Sequence, residues 1–99
     1  MENHDEADIR SVHVIISGRV QGVGFRAWVR RTADKLGVSG WVRNCRNGDV
    51  EAVFSGPEAA VAAMVAACGE GPDWAKVAEV RETGPADPAS GPLTIRTDR

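Results

Sequence analysis

Tyrosine is missing altogether, and cysteine and histidine occur only twice each in 99 residues. Two cysteines, Cys45 and Cys68, cannot build a disulfide framework, and no CxxC pair or Cys/His cluster is present to hold zinc. We read both as buried thiols of a cytoplasmic protein, with a single Cys45–Cys68 disulfide as the alternative. Asp and Glu are scattered without paired ligand spacing, so neither a metal nor another cofactor is expected. Charge of one sign is not in excess: 12 Lys and Arg stand against 14 Asp and Glu, for a formal charge of -2. That balance argues against nucleic acid as a partner, because nucleic-acid binders carry a basic surface. It also gives no net attraction to an anionic membrane. No apolar run approaches the roughly 20 residues of a membrane helix. Met1 to Asp8 is too polar for a signal peptide. The expectation is a monomer that meets only a small molecule.

What is present is a patterned chain, 42% hydrophobic, that can bury a core. Residues 1–10 are charged and aperiodic and read as a loose tail; 11–99 read as one domain. Val12, Val14 and Ile16 alternate with His13, Ile15 and Ser17, which predicts a strand with one strongly apolar face. Gly18 to Gly24 reads as a loop. Phe25, Trp28, Val29, Thr32, Ala33 and Leu36 then recur at helical spacing, and Gly37 is a fitting stop. Val38 to Cys45 and Val50 to Phe54 predict two strands joined at Asn47-Gly48, expected to form a two-residue hairpin turn. A second helix is expected near Pro57, with Ser55 and Glu58 as a capping box and Val61, Met64, Val65 and Cys68 on its apolar face. Lys76 to Thr83 predicts a fourth strand, Gly84 to Pro92 a loop, and Leu93 to Arg96 a short last strand. The order βαββαβ plus a short extra strand is the α+β, ferredoxin-like split βαβ pattern. Two helices should cover one face of a mainly antiparallel sheet. That architecture hosts many activities and does not by itself choose one.

Chemistry is concentrated between the first strand and the first helix, in Gly18-Arg19-Val20-Gln21-Gly22-Val23-Gly24-Phe25-Arg26. The N–H groups of a first helical turn point outward and favour an anion. Glycines let the preceding backbone curl so that successive amides face one point. Gly-Lys-Ser/Thr does not follow, so this is not a Walker A loop, and GxGxxG is lacking as well. Arg26 stands against the helix dipole, a mild penalty that a bound dianion would reverse. It is equally readable as a solvated surface arginine. Asn44, likewise, could be a polar residue that ends a strand before a turn.

This nine-residue stretch resembles the signature loop of acylphosphatases. Gly40-Trp41-Val42-Arg43-Asn44 resembles that family's second motif, and Asn47-Gly48-Asp49-Val50-Glu51 its hairpin. The similarity runs from about Val12 to Ile95. One departure is Leu93, where the family commonly carries an aromatic residue. The resemblance implies hydrolysis of acyl phosphates to a carboxylate and inorganic phosphate by in-line attack of water. It implies that Arg26 binds the phosphate together with the backbone amides of Gln21, Gly22, Val23, Gly24, Phe25 and Arg26. It implies that Asn44 orients the water, and that a phosphate oxygen of the substrate takes the water's proton.

Such a substrate fits a site poor in acids and bases. Its leaving group is a carboxylate whose acid has a pKa near ~4, so it departs at neutral pH without a proton donor. His4 in the tail and His13 on the first strand read as exposed rather than catalytic, and Trp28, Trp41 and Trp74 as packing. Two other classes are weaker. A non-catalytic or carbamoyl-phosphate-handling module is one, as in hydrogenase-maturation carbamoyltransferases; a chain that stops soon after its last strand favours a stand-alone enzyme instead. An RNA-binding domain is the other, but the first strand lacks the exposed aromatics it needs.

Overall fold

The computed structural model describes residues 8–97. Its elements are β1 (Ile9–Arg19), α1 (Phe25–Leu36), β2 (Ser39–Asn44), β3 (Val50–Pro57), α2 (Glu58–Glu70), β4 (Lys76–Pro85) and β5 (Thr94–Ile95). The strands form one sheet in the order β4-β1-β3-β2-β5. Every neighbouring pair is antiparallel except β2 with β5. Both helices pack on one face, which gives the expected ferredoxin-like α+β arrangement. No described helix is long and apolar enough to cross a membrane.

Alternation in β1 decides which face that is. Val12, Val14 and Ile16 are at most 4% exposed. The register sets them opposite Phe54, Ala52 and Val50 of β3, three apolar cross-strand pairs on one side. In β2 the same side holds Val42 opposite Ala52 and Asn44 opposite Val50. Phe25, Val29 and Ala33 of α1 and Val61, Met64 and Cys68 of α2 close the core over them. Each large apolar side chain so buried contributes about 1.5–3 kcal/mol. Burial pushes the Cys68 thiol up to about 12, which keeps it protonated and inert at neutral pH. Cys45 is only half-buried, and no disulfide joins the two.

The structure departs from the sequence expectations at several places. The proposed tail of residues 1–10 lies outside the described residues up to position 7, but Ile9 and Arg10 belong to β1, where they pair with Pro57 and Gly56. Arg10 also donates to Glu82 at 2.6 Å. At its other end β1 takes in Gly18 and Arg19, so the glycine loop shrinks to 20–24. The Ser55–Glu58 capping box does not form. Ser55 is fully buried in β3, and its Oγ is shared with Ser11 Oγ at 2.7 Å and the Ala89 N–H at 3.0 Å. Pro57 is the N-cap of α2, and the Glu58 N–H donates instead to the Asp8 carbonyl at 2.9 Å.

The hairpin has three residues in its loop rather than two. Cys45 N–H donates to the Asp49 carbonyl at 2.8 Å, and Gly48 N–H to the Cys45 carbonyl at 3.3 Å. Gly48 alone takes a positive φ, 99°, because the Asn47 side chain is engaged differently: its Oδ1 accepts the Asp49 N–H at 3.0 Å. A turn with one left-handed residue at its end suits the strand twist as well as the two-residue form. Finally, β4 takes in Gly84 and Pro85, so the expected Gly84–Pro92 loop shrinks to 86–92, a strap from one sheet edge towards the other. It is tied by Ala86 N–H to the Ser11 carbonyl, by Ala89 to Ser55, and by Ser39 Oγ–H to the Gly91 carbonyl at 2.6 Å.

On the face away from the helices, Glu51 joins two strands to its own. His13 Nε2 meets Glu51 Oε2 at 2.5 Å and Arg43 Nε donates to Oε1 at 2.6 Å, while His13 Nδ1 meets Thr83 Oγ1. Trp41 lies beside this group with the Arg96 guanidinium 4.2 Å from its ring centre. Trp74, by contrast, is half exposed rather than packed. Burial by itself raises the Glu51 carboxyl, but the hydrogen bonds and charges of His13 and Arg43 outweigh it and hold the group below its ordinary value of 4.5. The sign follows from linkage. A depressed carboxyl stabilises the fold fully above its ordinary value and loses that contribution as pH falls through the folded value. Glu51→Gln should therefore cost about 1–2 kcal/mol at neutral pH and lose less than the parent protein below about pH 4.5. Thermal melts across that range check it; parallel curves for the two proteins would show that the pair contributes nothing.

Candidate active site

The 20–24 loop enters α1 with two left-handed residues, Gly22 at φ 76° and Gly24 at φ 78°. A side chain at either position would strain that backbone, so glycine is what permits the curl. Gly24 is the N-cap of α1, makes no side-chain cap, and no acidic residue follows in the first turn. The first helical bond runs from Trp28 N–H to the Gly24 carbonyl at 3.1 Å. The amides of Phe25, Arg26 and Ala27 thus precede the helical ladder, where the dipole offers partial positive charge.

Across from this helix start stands Asn44, the last residue of β2. Its parity with Val42 turns it to the helix side of the sheet, where it is 8% exposed. Gly22, Gly24, Phe25, Arg26 and Asn44 line one cleft of about 210 Å³, together with Val20, Ala27 and Ile95 of β5. That is below the roughly 300 Å³ at which pockets for drug-sized ligands begin. Among the described residues that line it, Arg26 carries the ionisable side chain. Its Nη1 lies 3.4 Å from the Arg96 carbonyl just past β5. The arrangement can hold a small anion; the described residues that line it include no carboxylate, histidine or thiol for proton transfer.

The two side chains singled out from sequence, Arg26 and Asn44, meet at this cleft. Of the six backbone positions, Gly22, Gly24, Phe25 and Arg26 line it, while Gln21 and Val23 do not. Ile95 was missed, since nothing local in Leu93 to Arg96 says which strand the segment will join. Among the described residues no three His, Cys, Asp or Glu side chains gather into a metal-binding group.

Comparison with known proteins accounts for nearly the same stretch. The acylphosphatase family model matches residues 12–90. The chain belongs to the acylphosphatase family. An acylphosphatase of Nitrobacter hamburgensis is 59% identical over 69 residues, 70% of each chain. One of Rhodospirillum rubrum is 52% identical over 80 residues, covering 81% of this chain and 88% of that one. Among solved structures, an acylphosphatase from Coxiella burnetii superposes with a TM-score of 0.81 at 35% identity, across 96% of this chain and all of that one. The likeness to the Coxiella burnetii structure extends over nearly the whole of this chain and so includes the fold.

Proposed function

We propose that the cleft hydrolyses acyl phosphates, releasing a carboxylate and inorganic phosphate. The observation that carries this reading is one small cleft shared by a helix start without a side-chain cap, Arg26 and Asn44. The phosphoryl oxygens face the amides of Gly22, Gly24, Phe25 and Arg26, which line the cleft, and the Arg26 guanidinium takes two of those oxygens in its planar fork. Asn44 sits where its side-chain amide can fix a water in line with the bond to be broken. The water oxygen forms a bond to phosphorus as the bond to the acyl oxygen breaks. The carboxylate leaves with the electron pair, and the water's proton passes to a phosphoryl oxygen. Catalysis is then charge stabilisation and placement, which is what phosphoryl transfer chiefly requires. No proton donor is needed, because the departing carboxylate is a weak base.

Phosphate release from benzoyl phosphate with excess chelator tests the proposal, with para-nitrophenyl phosphate as the comparison. Turnover of the acyl phosphate, and at least about a hundredfold less of the ester, is expected, because nitrophenolate is a more basic leaving group than benzoate and the described residues lining the cleft supply no acid to protonate it. Loss of activity in chelator, restored by a divalent ion, would overturn the metal-free mechanism. Phosphate binding without turnover would point to a binding module instead. We further propose a monomeric, cytoplasmic enzyme, in keeping with two cysteines that are not bridged.

A further inference from the structure

Gln21 does not line the cleft, yet its side chain is committed. Nε2 donates to the Cys45 carbonyl at 2.8 Å and to the Asp49 carbonyl at 2.7 Å. A primary amide has two N–H groups, so these two bonds use both. The acceptors are the two residues that close the β2–β3 hairpin, since Cys45 N–H itself donates to the Asp49 carbonyl. Cys45 follows Asn44 directly. Gln21, in turn, stands next to Gly22, where the loop begins its left-handed curl. The bonds therefore span two segments more than 20 residues apart in sequence, each ending at a different half of the cleft.

We infer that Gln21 is a positioning residue that sets the distance and angle between the phosphate loop and Asn44. The inference rests on the acyl phosphate hydrolysis proposed above. Because both acceptors are backbone carbonyls, the link does not depend on the side chains at 45 and 49. The β1–β3 ladder ends at Ile16 and Val50, so the loop and the hairpin extend past it and can shift relative to each other without breaking it. The Gln21 amide opposes that shift. It touches no substrate; its effect on rate passes through Asn44 and the water Asn44 holds.

The test is Gln21→Met, close in shape but without donors. At a temperature well below its Tm, kcat for benzoyl phosphate, per folded molecule, should fall about tenfold or more, since small misplacements of a reacting group are costly. The inhibition constant of inorganic phosphate should change less than about threefold, because the loop amides and Arg26 remain. Gln21→Asn keeps the amide but is one methylene short, and should behave alike; it decides the matter if the first variant does not fold. In an Asn44→Ala background the same substitution should leave kcat nearly unchanged, since the residue through which it acts is gone. Unchanged kcat in both variants would overturn the role. So would additive losses in the double variant, or a large rise in the phosphate constant, which would make Gln21 part of the cradle. Should Asn44→Ala alone retain full kcat, it is the active-site reading that fails, and not the Gln21 link.

Discussion

Arg26→Ala is expected to lower kcat/KM for benzoyl phosphate about a hundredfold or more and to weaken inorganic phosphate as well. The loss of one preorganised contact to a transferring group is worth about 3 kcal/mol. Among the described residues that line the cleft Arg26 is the charged one, so no lining neighbour takes over its part. The side chain sits in the first turn of α1, where a cation opposes the dipole by a few tenths of a kcal/mol. Its bond to the Arg96 carbonyl is long, 3.4 Å, so little is lost there either. Arg26→Lys should rescue poorly, since a point charge lacks the planar fork. Calorimetric titration with phosphate, paired with melts in its presence and absence, separates the two effects. Should Arg26→Ala bind phosphate as tightly as the parent protein, the anion site lies elsewhere.

Asn44→Ala should instead lower kcat by about a hundredfold and leave phosphate affinity nearly intact, because water placement is removed while the cradle stays. The residue is 8% exposed, so truncation also opens a small void beside Val42 and costs some stability. That cost is distinguishable from the catalytic one: phosphate should raise the Tm of the variant by as much as it raises that of the parent protein. Steady-state kinetics and those melts together decide it. A variant with parental kcat would remove Asn44 from the reaction.

These two side chains were legible in the sequence for different reasons. Arg26 stands out locally, as a cation in a helix start that follows a glycine loop. Asn44 was singled out only by the resemblance of Gly40–Asn44 to the family's second motif, and the structure then sets it on the side of the sheet, shared with Val42, that faces the core. The errors are equally physical. Ser55 looks like a cap because Ser before Glu at that spacing commonly is one, but a hydroxyl from β1 and an amide from the strap compete for it. Asn47-Gly48 looks like a two-residue turn because Asn tolerates positive φ, but its side chain is used to accept the Asp49 N–H. Ile9 and Arg10 show no periodicity, yet β1 extends through them because β3 runs on to Pro57 and offers partners.

Sequence alone determined the element order, the apolar stripes of β1, α1 and α2, and the left-handed glycines of the loop. Each depends on a few neighbouring residues and on their own backbone and burial preferences. Tertiary structure decided the strand order β4-β1-β3-β2-β5, and with it the meeting of Arg26, Asn44 and Ile95 in one cleft. It decided as well that the Gln21 amide would reach the carbonyls beside Asn44. Those contacts join residues that lie far apart in the chain. They exist because burying both helices on one side of the sheet leaves a single register in which the apolar faces coincide, and no local pattern states that register in advance.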